Sequence, residues 1–183
     1  RSSQYSSAFH YRFLALLELG RDEEAAIWQA KALKVSKSPV MIHLNAALAL
    51  KKKGRLEEAE ASVRNAIGLA PERASTHIRL GNLLEEQGKF AEAVESYQAA
   101  VKLDPTDLHN LAHLAIGLGN AGRWGDALPI ARKAMEQGWE NNGLRLTFVE
   151  CLVALELWPS AEDAVRELVP TMVDVDLREV LAF

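Results

Sequence analysis

Gly20, Gly54, Gly88 and Gly122 each stand 34 residues from the next. Two alanine series keep the same interval. One is Ala25, Ala59, Ala93, Ala127 and Ala161, and the other is Ala32, Ala66, Ala100 and Ala134. A period of this length describes an array of equivalent small units. Each unit is too small to bury its own apolar face and is stable only against its neighbours. The functional question therefore moves from a catalytic cleft to surface recognition.

The unit at 74–107 shows how the repeat is built. Leu80, Leu83, Leu84 and Gln87 recur at helical spacing and give one mostly apolar stripe. Gly88-Lys89 ends that helix, glycine being suited to the left-handed turn after a last helical residue. A second helix follows from Phe90, with Ala93, Val94, Tyr97, Ala100 and Val101 on one face. Asp104-Pro105 closes it, because proline lacks the next N–H donor and disfavours helix in the residue before it. Small residues at the helix contact let the two helices approach: Gly81, Ala47 and Ala115 in first helices, and the periodic alanines in second helices. Pro159 falls in the first turn of its helix, where proline is tolerated. Pro129 lies deeper, so that helix is expected either to start late or to kink.

Composition excludes several classes. Hydrophobic residues make up 49% of the 183, enough for a core, and no apolar run reaches the ~20 residues of a membrane span. The net charge of −4 argues against a nucleic-acid surface. The single cysteine, Cys151, cannot form an internal disulfide, which fits a reducing, cytoplasmic compartment. No signal peptide is visible. The chain opens on Arg1 rather than methionine, so residues are expected to precede it.

The pattern resembles the tetratricopeptide repeat. The resemblance rests on Leu80-Gly81, Leu84, Gly88, Phe90, Ala93, Tyr97, Ala100 and Pro105, with Gly54, Ala59, Ala66 and Pro71 one unit earlier. Gly122, Trp124, Ala127 and Ala134 continue it, with Trp139 in place of the proline. Gly20, Ala25 and Ala32 open it, with Phe13 in place of a small residue and Arg12 in place of leucine. Leu152, Trp158 and Ala161 extend it, with Glu156 in place of the turn glycine. The resemblance implies an all-α fold, a right-handed superhelical α-solenoid of antiparallel helix pairs, with at least ten helices and no sheet. It places a single array over 1–183, with units at about 6–39, 40–73, 74–107, 108–141 and 142–170. Residues 171–183, where Thr171 and Asp174 resemble a capping pair and Leu177, Val180 and Leu181 share a face, form a capping helix or begin a further repeat.

The resemblance also implies a concave groove lined by the first helices. Matching spacing assigns to it His10 and Leu14; Met41, Asn45 and Leu48; Ser75, Arg79 and Asn82; His109, His113 and Ile116; and Thr147 and Glu150. Asn45, Arg79 and His113 are in register as a polar row. An asparagine amide can both donate to and accept from a peptide backbone, and arginine can hold a carboxylate bidentately. Chaperone-binding members of the family grip a C-terminal carboxylate with two lysines, two asparagines and an arginine. Only Asn45 and Arg79 match that set; His10, Leu14 and Ser75 replace the rest, so the clamp is incomplete. Glycosyltransferase arrays carry an asparagine in every unit, and here Asn45 alone does so.

Catalytic readings are weaker than structural ones throughout. His109 and His113 have the spacing of a metal half-site but no third ligand in register. His43 and His77, one period apart, stand where Phe9 and Leu111 do in other units and read as packing residues. Cys151, within an apolar helix and without a base, reads as an inert thiol. Glu57-Glu58 and Glu85-Glu86 read as solvated faces, and Lys51-Lys52-Lys53 as a helix C-terminus favoured by the dipole. Gly117, Gly119 and Gly122 lack the lysine and strand of a phosphate loop. The expected function is a non-catalytic scaffold binding a peptide or helix of a partner protein, with no cofactor or metal. The alternative is the substrate-recognition region of a larger glycosyl-, sulfo- or methyltransferase. Self-association through an exposed array end is a third possibility.

Overall fold

The computed structural model describes residues 2–139 and 141–168. Ten helices lie among them: α1 (Ser2–Glu18), α2 (Asp22–Val35), α3 (Pro39–Lys52), α4 (Leu56–Leu69), α5 (Ala74–Glu86), α6 (Phe90–Leu103), α7 (Leu108–Asn120), α8 (Trp124–Glu136), α9 (Asn142–Ala154) and α10 (Trp158–Leu168). No strand occurs among the described residues. The expected helix at 171–183, whether cap or further repeat, lies outside them. The chain divides into two compact bodies, with the division between Lys89 and Phe90.

The periodic glycines form one kind of turn. Gly20, Gly54, Gly88 and Gly122 have φ between 71° and 73°, a region that costs other L-residues about 1–2 kcal/mol. At Gly88 the glycine N–H donates to the Glu85 carbonyl at 2.8 Å and the Lys89 N–H to the Leu84 carbonyl at 2.8 Å. These two bonds satisfy carbonyls that the helix end would leave bare. Glu156 makes the same turn without glycine, at φ 57°, with its N–H on Val153 and the Leu157 N–H on Leu152.

In the N-terminal body α1 packs on α2, α3 on α4, and α4 on α5. Val40 and Leu44 of α3 meet Ala66 and Ala70 in one core cluster, the alanines letting the chains come close. Glu60 ties the α4 face to the turn after α5: Arg64, Gln87 and Lys89 donate to it at 2.8–3.1 Å. Burial works to raise its carboxyl, but these three hydrogen bonds outweigh it and hold the pKa at about 2.

In the C-terminal body α7 packs against α6, α8 and α9, and α9 against α10. Leu111, Ala112 and Ala115 of α7 share a core with Ala131 and Ala134 of α8 and Leu144 of α9. Helix α8 begins at Trp124 and runs through Pro129, so the late start is not what occurs. Pro129 has no N–H to give the Gly125 carbonyl, and Gly125 is exposed, where water can meet it.

Candidate functional site

In the N-terminal body the residues assigned to the first-helix face differ in exposure. On α3, Met41 and Leu48 are exposed at 43% and 46% while Val40, Ile42, Leu44, Ala46 and Ala47 are buried. Asn45 lies between them, half-buried, and its amide nitrogen donates to His10 Nε2 at 2.9 Å. That bond requires a neutral ring, and burial lowers the His10 pKa in the same sense. Leu14, on α1 with His10, is half-buried.

On α5, Ser75 and Arg79 are exposed and Asn82 is half-buried. Leu48, Arg79 and Asn82 come together around a pocket of about 100 Å³ between α3 and α5. Its floor is apolar, from Leu44, Ala47, Val63 and Leu83, and Lys51 completes the rim. Lys51 is ion-paired with Glu86. Arg79 has no ion-pair partner among the described residues.

In the C-terminal body His109 is exposed and His113 half-buried, with ring centroids 4.4 Å apart, edge to face. His113 stacks on the buried Tyr97 at 5.6 Å, and His109 lies 5.7 Å from Trp139. Burial, and then the neighbouring His109, lower the His113 pKa. Among the described residues no three of His, Cys, Asp and Glu gather as metal ligands. Ile116 is half-buried and packs against the α7–α8 core.

Thr147 departs from the expectation. It is 5% exposed, and its Cγ2 lies 2.8 Å from the point where a Cβ on Gly119 would stand. It serves the contact between α9 and α7 and offers nothing to a ligand. Gly119, marked in the sequence only as not belonging to a phosphate loop, is what permits that approach. Glu150 is half-buried with no ion-pair partner among the described residues, and burial raises its pKa. Cys151 beside it is fully buried, and burial, with the Glu150 charge, pushes its thiol up to about 11. Such a thiol is not a nucleophile at neutral pH.

Residues 44–107 match the tetratricopeptide repeat family model. That segment carries tetratricopeptide repeats. No curated protein matches the chain in sequence. Among solved structures it is similar to a tetratricopeptide repeat protein from Parabacteroides merdae, with a TM-score of 0.75 and 15% identity over 92% of this chain and 67% of that one. MamA from Desulfovibrio magneticus gives a TM-score of 0.72 at 16% identity, over 91% and 94% of the two chains. YrrB, a tetratricopeptide repeat protein with an unusual peptide-binding site, gives 0.62 at 21% identity, over 85% and 84%. At such identities the likeness is one of fold.

Spacing alone missed one buried polar group. Asn110 is 1% exposed, and its amide donates to the Asp104 carbonyl at 3.2 Å, holding the α6–α7 turn. His77 Nε2 meets the Pro71 carbonyl at 2.9 Å, a turn contact in keeping with its structural reading. His43 is half-buried and its pKa is lowered by burial. Among the described residues no helix is long and apolar enough to cross a membrane.

Proposed function

We propose that the protein is a non-catalytic interaction scaffold that holds an extended peptide or a helix of a partner protein against its first-helix faces. The observation that carries this is the pocket between α3 and α5: an apolar floor rimmed by Leu48, Asn82 and an exposed Arg79 with no ion-pair partner. An apolar recess with a few convergent polar groups fixes an occupant's register, and a free guanidinium selects a carboxylate or backbone carbonyl. Met41, Asn45 and Ser75 extend the same face, and His10 and Leu14 flank it on α1. On the C-terminal body His109, His113, Ile116 and Glu150 provide the corresponding contacts. The peptide-binding site of YrrB, a protein of the same fold, supports a peptide as occupant.

The test is panning a displayed peptide library on the protein, followed by calorimetry of the enriched peptides. Arg79→Ala and Leu48→Asp should each weaken binding about tenfold, roughly the 1.4 kcal/mol scale of one lost contact, with an unchanged melting temperature. Peptides that bind both variants with parental affinity would place the site elsewhere.

A further inference from the structure

The N-terminal body has a second recess, which shares no lining residue with the α3–α5 pocket. It measures about 270 Å³ and lies between α2 and α4. Phe13, Leu17, Ala46 and Leu50 form its floor, all buried. Ala26, Gln29, Ala61 and Ser62 form its walls, and Asp22, Arg55 and Glu58 close one end.

The repeat shows why this recess exists. One period on from Ala46 stand Leu80, Leu114 and Phe148. Leu80 and Leu114 are buried, and Phe148 packs in the α9–α10 core. One period on from Ala26 stand Glu60, Val94 and Leu128. Alanine thus stands at 46 where the three later units carry Leu80, Leu114 and Phe148, unit one having the exposed Arg12, and at 26 where later units carry Glu60, Val94 and Leu128. Phe13 brings a ring where Ala47, Gly81 and Ala115 stand, lines the same recess, and still leaves it open. A space of this size beside well-packed neighbours forgoes dispersion contacts that a larger side chain would supply.

The charge around the mouth is one-sided. Helix α2 opens with Asp22, Glu23 and Glu24, and α4 with Glu57 and Glu58. Of the nearby cations, Arg21 binds Glu24, Arg55 bridges Asp22 and Glu58 at 2.8 and 2.6 Å, and Lys53 donates to the Glu18 backbone carbonyl, fewer charges than the five carboxylates. Glu23 and Glu57 have no ion-pair partner among the described residues. An acidic surplus beside an apolar slot fits a cationic segment and repels an anionic one.

We propose that this recess is a docking slot for a basic amphipathic segment of a partner protein, which inserts one leucine- or phenylalanine-sized side chain where Ala46 and Ala26 leave room. The anchor takes the place that Leu80, Leu114 and Phe148 fill in the three later units, and lysines or arginines beside it meet the acidic turns. Buried apolar anchors of this kind carry most of the energy of such contacts.

The experiment uses fluorescence anisotropy with a labelled helical peptide holding one phenylalanine among lysines, and the full chain. Controls replace the phenylalanine by alanine or the lysines by glutamates. Ala46→Leu fills the slot from below. Ala26→Leu, at an exposed position where Val94 stands two units later and Leu128 three, blocks it from the side without touching the core. Both should weaken the phenylalanine–lysine peptide about tenfold or more, while the melting temperature holds or rises. Both control peptides should bind no better than the blocked protein. The proposal is overturned by a lysine peptide that does not bind, by equal affinity for parent and Ala26→Leu, or by a glutamate peptide that binds as tightly. Sedimentation of the parent and Ala46→Leu covers a second copy as occupant: loss of a dimer, with no peptide binding, would also overturn it. Because Leu48 and Arg79 line the other pocket, failure here leaves the α3–α5 site untouched.

Discussion

At the scale of single residues, the turn after each first helix makes the sharpest demand. Four glycines meet it without cost, and Glu156 meets it at φ 57°. A left-handed non-glycine residue is strained by about 1–2 kcal/mol, and Glu156 is exposed, so its side chain returns little. Glu156→Gly should therefore stabilise the C-terminal body by about 1 kcal/mol in denaturant melts, after the entropy that glycine loses on folding. Gly88→Ala should destabilise by a similar amount, although no atom lies within 4 Å of the added Cβ. A neutral Gly88→Ala would show that the turn relaxes out of the left-handed region. The glycine requirement was legible from the period alone. Thr147 was not: its place on the helix pointed outward by matching, and its burial depends on Gly119 of another helix.

At the scale of elements, the helix pairs are set by small residues at the crossing. Ala66 is fully buried against Val40 and Leu44, where α4 lies on α3. Ala66→Leu should push these helices apart and cost about 1–3 kcal/mol of stability, read as a lower denaturation midpoint. A variant that unfolds like the parent would mean that the α3–α4 contact has slack. Helix starts and stops were readable because proline, glycine and aspartate act within a few residues of chain: α6 stops at Leu103 before Asp104-Pro105, and Pro159 sits in the first turn of α10. Pro129 was ambiguous because its cost depends on whether the Gly125 carbonyl meets water.

At the scale of the whole molecule, protonation sums over buried rings. His10, His43 and His113 all have pKa values lowered from 6.5, chiefly by burial. Below 6.5 the unfolded chain takes up more protons than the folded one. The stability these rings contribute is thus full above about pH 6.5 and is lost as pH falls through their folded values. Melting temperature should decline as pH falls below about 6.5, and His113→Gln should flatten part of that decline. A melting temperature constant over that range would show that the rings titrate as if in water. Glu60 acts in a separate window: its contribution is present above pH 4.5 and is lost between 4.5 and about 2. The two windows separate histidine from carboxylate effects in one titration.

The sequence by itself determined the helix pairs, their turns and the small residues at their crossings. Each follows from forces acting within about one repeat: backbone sterics at glycine and proline, and the alignment of apolar residues at helical spacing. The resemblance to the tetratricopeptide repeat assigned Met41, Leu48, Ser75 and Arg79 to the first-helix face, and all four are exposed. Only the tertiary structure decided which of them share a pocket, that Asn45 is already bonded to His10, and that Thr147 is covered. The void beneath Ala46 belongs to the same kind. Alanine reads as an ordinary core residue in the sequence. Whether its missing bulk leaves space depends on the packing of α1, α2 and α4 around it, which local spacing does not encode.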